Sequence, residues 1–246
     1  MQKPDPATPV VDHRPKVALK KRQIMRAKLL DAAMRVFAAT GGTAPVIDDV
    51  IREANVSRGT FYNYFNSLDE VLVAIGQALN NQMTTDILPV YDVLTEPFQR
   101  VAVAFRLFLL RALHDPQWAG FVTRVEAWQH TSLVAEYMAR DLENGKAAGD
   151  FDFERIDAAT DFLMGASAHG IQALRQGVKS PERYIDTCVR MTLASLGCDA
   201  DKCREATAFS VSYLQSWINN ELTATSPGWA TNMDQENAMR FMAGHE

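Results

Sequence analysis

Apolar residues recur at helical spacing through most of this chain, and nowhere does a strand-like alternation persist. That regularity argues against sheets and predicts an all-α fold of about ten helices. From Lys21, the residues Ile24, Leu29, Leu30, Ala33, Val36 and Phe37 follow the helical period until Gly41 and Gly42 stop the run. A second, short helix follows. Pro45 suits its first turn, Asp48 and Asp49 favour its N-terminal end, and Val46, Val50 and Ile51 form its inner face. A third lies between Arg58 and Phe65, and a fourth starts near Ser67 and runs to about Met83. Further helices are predicted from Pro97 to Leu113, from Asp115-Pro116 towards His130, and from Thr131-Ser132 into "ENGKAAGD". The last three run from Glu154 to Gln176, from Ser180-Pro181 to Leu196, and from Asp199–Asp201 to about Leu222. The expected organisation is a disordered basic arm (1–20, with four prolines before residue 19), a three-helix unit (21–72), a larger helical domain (73–222) and a tail (223–246).

The net charge of −5 hides a division. Residues 1–65 carry eleven Lys/Arg against six Asp/Glu, a net of +5, and the remainder carries fourteen against twenty-four, a net of −10. Arg14, Lys16, Lys20, Lys21, Arg22, Arg26 and Lys28 fall together with no acid among them. A basic arm on an acidic body implies that one end meets a polyanion. The apolar runs, broken by residues such as Arg106 and Arg111, are too short for a membrane span, and the N-terminus has no secretory apolar core. Three cysteines, Cys188, Cys198 and Cys203, fit a reducing cytoplasm. The five histidines are scattered without metal-ligand spacing, and no nucleophile–base set or phosphate-cradling glycine loop is present. The expectation is a protein that is not an enzyme and needs no metal or cofactor.

The stretch "ANVSRGTFYNYFNSLDEV" carries most of the functional information. Ser57 is placed to cap a short helix, on which Phe61 and Phe65, four apart, share a buried face. Gly59, Thr60, Tyr62 and Asn63 then fall on the opposite side. They offer a bare backbone, a hydroxyl, a phenol and a carboxamide, all suited to phosphates and base edges. Asn55 tolerates the left-handed conformation that a reversal before Ser57 needs. The unit is a helix-turn-helix, with Lys20, Lys21 and Arg22, at the junction of the arm and the first helix, as further contacts to double-stranded DNA.

The segment "LLDAAMRVFAATGGTAPVIDDVIREANVSRGTFYNYFNSLDEVL" resembles the DNA-binding domain of the TetR family of bacterial transcriptional regulators, the likeness covering about 21–72. The resemblance implies a dimer whose third helix enters the major groove, with Arg58, Gly59, Thr60, Tyr62 and Asn63 facing it. It implies backbone phosphate contacts by Tyr64 and Thr43. One position departs from the pattern: Leu68 stands where relatives often carry a phosphate-binding lysine.

A dimer surface is expected from the helix "ERIDAATDFLMGASAHGIQALRQG", which has two apolar faces. One holds Phe162, Ala166, His169 and Ala173, and the other Leu163, Ser167, Gly170 and Leu174. With Ile185, Val189 and Thr192 of the next helix, Phe162, Ala166, Gly170 and Ala173 make the expected homodimer interface. Aromatic residues crowd the middle helices. They read either as plain core or as the wall of a pocket for a small, mostly apolar effector, formed by Phe105, Phe108, Phe121, Arg124, Trp128 and His169. The chain thus reads as a ligand-responsive DNA-binding regulator, most simply a repressor on a palindromic operator. The competing reading is an all-α ligand- or partner-binding protein that keeps the scaffold without specific DNA binding.

Overall fold

The computed structural model describes residues 14–39, 45–122 and 133–218, and the fold is all-α. Among these residues there are ten helices and no strand: α1 (Arg14–Ala39), α2 (Ile47–Ala54), α3 (Arg58–Tyr62), α4 (Leu68–Val93), α5 (Pro97–His114), α6 (Pro116–Val122), α7 (Leu133–Ala148), α8 (Ile156–Gln176), α9 (Pro181–Ser195) and α10 (Ala200–Ile218). Thr43, Arg124 and Trp128 lie outside the described residues. So do the side chain of Phe121, the expected stop at Gly41-Gly42 and the tail.

Helices α1 to α3 and the start of α4 share one apolar centre, in which Leu29, Ala32, Ala33, Val50, Ala54, Phe61, Phe65, Val71 and Ile75 are buried. Arg35 of α1 ties α2 from outside through Glu53 at 2.6 Å. The larger part is organised around α5, against which α7, α8, α9 and α10 all pack. Three arginines on α5 each meet a carboxylate on a different helix. Arg100 pairs with Asp141 of α7 at 3.2 Å, Arg111 with Asp86 of α4 at 3.0 Å, and Arg106 with Asp186 of α9. Arg106 also donates to the Ser210 hydroxyl of α10 at 2.8 Å. The two parts meet where α6 packs on α1. A Cβ at Gly120 would lie 3.4 Å from the Ala38 Cβ, so these helices are already in contact.

Several expectations are corrected. Residues 14–20 are not a disordered arm but the first turns of α1, with Pro15 in the initial turn where its missing N–H costs nothing. Pro45 precedes α2, whose cap is Val46. Helix α4 continues well past Met83, its distal half held by the buried Asp86–Arg111 pair. Gly170, Ile185, Val189 and Thr192 are buried within the protomer and are not on its surface. A Cβ at Gly170 would come within 2.8 Å of Leu109 Cδ2, so this glycine serves the α5–α8 approach. His169 is exposed on the outer side of α8, whereas Phe105 and Phe108 are buried on α5, so they do not line one wall.

Candidate nucleic-acid interface

The interface is built by three caps in succession. Asp49 accepts from the Val46 N–H at 3.0 Å, closing the start of α2. At its other end Asn55 adopts φ 48 and ψ 60, and the N–H groups of Asn55 and Val56 return to the carbonyls of Arg52 and Ile51 at 3.1 and 3.2 Å. The left-handed residue reverses the chain within one step. Ser57 then caps α3, its hydroxyl accepting from the Thr60 N–H at 3.0 Å and lying 2.8 Å from the Thr60 hydroxyl. A third cap starts α4. The Glu70 N–H donates to Ser67 Oγ at 3.1 Å, and the Glu70 carboxylate accepts from the Asn66 N–H at 2.7 Å.

Helix α3 has only five residues, and two buried phenyl rings hold it. Phe61 and Phe65 lie 6.1 Å apart between centroids, and the Arg26 guanidinium of α1 sits 5.3 Å over the Phe65 ring. The opposite side is open. Arg58, Gly59, Tyr62 and Asn63 are exposed, and a Cβ added at Gly59 would meet nothing closer than Ser57 Oγ at 3.9 Å. Tyr62 keeps 46% of its surface in solvent, with its ring edge-on to Phe61 at 5.6 Å. Thr60 and Tyr64 are half-buried. The face therefore combines polar side chains with unobstructed backbone on a rigid apolar base, the combination that admits a nucleic-acid groove.

Two features were not read from the sequence. Arg58 is held by Asp48 of α2 at 2.6 Å, with both groups largely solvated. Such an exposed pair is weak and salt-screened, so the guanidinium can exchange Asp48 for a phosphate or a base edge. The spacing of ten residues crosses the turn, so local pattern could not reveal it. Leu68 is half-buried and packs on the apolar core, so this position serves folding rather than phosphate binding.

Residues 29–75 match the family model for bacterial regulatory proteins of the tetR family, and residues 96–208 match that for the tetracyclin repressor-like C-terminal domain. The chain belongs to the TetR family. Its helix-turn-helix is the DNA-binding domain of a transcriptional regulator. Among its relatives, the HTH-type transcriptional regulator BetI of Rhizobium meliloti is 26% identical over 184 residues, covering 72% of this chain and 89% of that protein. The uncharacterized HTH-type transcriptional regulator TtgW of Pseudomonas putida is 34% identical over 96 residues, covering 39% of this chain and 68% of TtgW. The solved structure of RolR in complex with resorcinol superposes with a TM-score of 0.62 at 26% identity, over 77% of this chain and 95% of RolR. BetI and TtgW are both named as HTH-type transcriptional regulators. Among the described residues no helix is long and apolar enough to cross a membrane.

Proposed function

We propose that this TetR-family chain is a cytoplasmic repressor that binds a palindromic operator as a homodimer and releases it on binding a small, mostly apolar effector. The observation that carries the reading is the two-sided α3, with Phe61 buried beneath and Gly59, Tyr62 and Asn63 exposed above. One such helix reads too few bases for a genome, since each good side-chain pair discriminates by about 1–3 kcal/mol. Two copies on a near-palindrome, about 34–36 Å apart, meet the requirement.

The outer side of α8 supports a second copy as partner. Phe162 is 59% exposed and is followed on the same side by Gly165, Ala166, His169 and Ala173, while Met191 of α9 is 66% exposed. Large apolar side chains held in water beside small residues are what a close helix–helix dimer covers. Phe162→Glu is expected to convert a dimer into a monomer in sedimentation velocity. A variant that sediments as wild type would move the interface off this face.

For the effector, the buried phenyl rings of Phe105 and Phe108 and the resorcinol bound by RolR both favour a small aromatic compound. Release then follows from linkage. An effector that prefers one arrangement of α4 to α8 shifts the separation of the two α3 helices by its differential affinity alone. The α6–α1 contact at Gly120 and the Asp86–Arg111 pair give that shift two routes to the DNA-binding domain.

Selection of bound duplexes from a random pool at stated salt tests the proposal, with enriched palindromes as the expected outcome. Tyr62→Ala should bind the selected operator about tenfold more weakly, a loss of about 1.4 kcal/mol, with the dimer intact. No enrichment even at low ionic strength would favour the competing reading, a helical binding protein that has lost specific DNA recognition.

A further inference from the structure

The helix-turn-helix is poor in the charge that its ligand demands. Residues 45–72 contain two cations, Arg52 and Arg58, against five acids, Asp48, Asp49, Glu53, Asp69 and Glu70. Both cations are already paired within the unit, Arg52 with Asp49 at 3.4 Å and Arg58 with Asp48 at 2.6 Å. A surface with three excess negative charges repels a duplex. Affinity for DNA comes largely from cations that neutralise phosphates and release counterions, so beyond the exchangeable Arg58 most of the cations must be supplied from outside this unit.

The first half of α1 holds them. Residues 14–30 contain seven cations and no acid, and α1 runs through them as one helix. Lys16, Lys20, Lys21, Arg22 and Lys28 are exposed, and none of the five has a carboxylate partner among the described residues. Burial on this helix begins only at Leu29. Successive residues turn by about 100°, which sets Lys16 with Lys20, Arg22 with Arg26, and Lys21 with Lys28 on three different sides. Like charges four apart destabilise a free helix, and between residues 16 and 28 no side chain is fully buried against the rest of the protomer. The stretch is helical because it continues α1 in good helix formers, and its charge, left without carboxylate partners in the protomer, suits a row of phosphates. Its position is also fixed. Arg26 lies over the ring of Phe65, three residues past the end of α3, so the basic half of α1 leaves the domain beside the recognition helix. From Arg26 back to Arg14 the helix spans roughly 18 Å, and a duplex presents about one charge per 1.7 Å of axis over that length.

We infer that residues 14–28 form a second DNA-contacting element: a basic helical extension that lies on the phosphates flanking each operator half-site. It supplies most of the electrostatic affinity and no base discrimination. The inference rests on α3 being the recognition helix, and it adds a division of labour, in which α3 selects sequence and α1 holds the duplex. Val17 and Ile24 are exposed on one side of this segment, but Leu19 lies well round the helix from them, so there is no broad apolar stripe, which favours a duplex over a lipid surface.

The test uses the full chain with Lys16→Gln, Lys20→Gln, Lys21→Gln and Arg22→Gln combined, since glutamine removes charge while keeping helix propensity. Fluorescence anisotropy against the selected operator and a scrambled duplex is measured from about 50 to 200 mM salt. The variant is expected to bind 10- to 100-fold more weakly at the lower salt, with a logarithmic salt slope shallower by roughly 2–4. The ratio of operator to scrambled affinity should stay within about twofold, since phosphate contacts carry no sequence information. Replacing the three lysines by arginine instead should restore the wild-type slope. Tyr62→Ala should do the reverse, lowering the operator ratio while keeping the slope. A four-site variant that melts as wild type and binds with the same slope would overturn the inference while leaving the recognition helix in place. Wild-type protein that binds neither duplex at low salt would overturn both. Binding of anionic phosphatidylserine vesicles by wild type, lost in the variant while its DNA slope is unchanged, would assign the segment to a membrane surface instead.

Discussion

Asp186→Ala is expected to lower the stability of the folded chain by about 3 kcal/mol, read as a lower urea midpoint at fixed protein concentration. The cause lies on α5, where Arg106 sits among apolar neighbours and donates to Ser210 at 2.8 Å. Burial lowers the Arg106 pKa, and only its hydrogen bond and charge interaction with Asp186 oppose that shift. Removing the carboxylate leaves a guanidinium out of water without a counter-charge. Breaking such a pair from one side costs about 3–5 kcal/mol. The lower end applies because the Asp186 side chain keeps 22% of its surface in solvent, so water takes part of the load. The double variant Arg106→Met with Asp186→Leu should recover most of the loss, since apolar residues of similar volume can replace an ion pair at little cost. A single variant that unfolds at the wild-type midpoint would mean that the pair contributes nothing to holding α5 against α9.

This arginine also marks the limit of what the sequence disclosed. Arg106 and Arg111 read there as interruptions of an apolar run, too polar for a membrane and otherwise without a role. Their partners, Asp186 and Asp86, are eighty and twenty-five residues away, and no local pattern joins them. The features that were legible are those decided within one turn. Asn55 as the left-handed reversal, Ser57 as the cap of α3, and Phe61 with Phe65 as its buried side each depend on neighbours three or four residues off. Helix α8 was legible for the same reason. Its two faces separate in the structure as the period requires, Leu163, Ser167, Gly170 and Leu174 inward and Phe162, Ala166 and Ala173 towards the outside. Which side of α9 is buried was not legible, because α5 and α10 cover Ile185, Val189 and Thr192, and that depends on tertiary packing. The start of α1 was not legible because four prolines fall before residue 19. Pro15 stands in the first turn of α1, where it favours a helix rather than preventing one.

Phe61→Ala is expected to abolish specific DNA binding while α5 to α10 stay folded. Phe61 is fully buried and is the only buried residue of α3. A five-residue helix has no stability of its own, because its nucleus costs more than so few hydrogen bonds return. Its orientation therefore depends on this ring, packed between Phe65 and the edge of Tyr62. Truncating a buried phenylalanine to alanine costs about 3–5 kcal/mol, which is comparable to the whole stability of a small three-helix unit. The loss should be confined to that unit, since α7, α8, α9 and α10 all pack against α5, away from Phe61, even though one apolar cluster runs through both parts. Amide exchange then separates the two effects. Protection should collapse across α2, α3 and the start of α4 while α5, α8 and α10 exchange as in wild type. Operator affinity should fall by at least 100-fold, well beyond the tenfold of Tyr62→Ala, because the first variant removes the platform and the second removes one contact from it. If Phe61→Ala held its operator within threefold of wild type, the base beneath α3 would have to be something other than this ring. If its loss of protection spread through α5 to α10, the two parts would fold as one cooperative unit, joined through Gly120 at α1 and the Asp86–Arg111 pair.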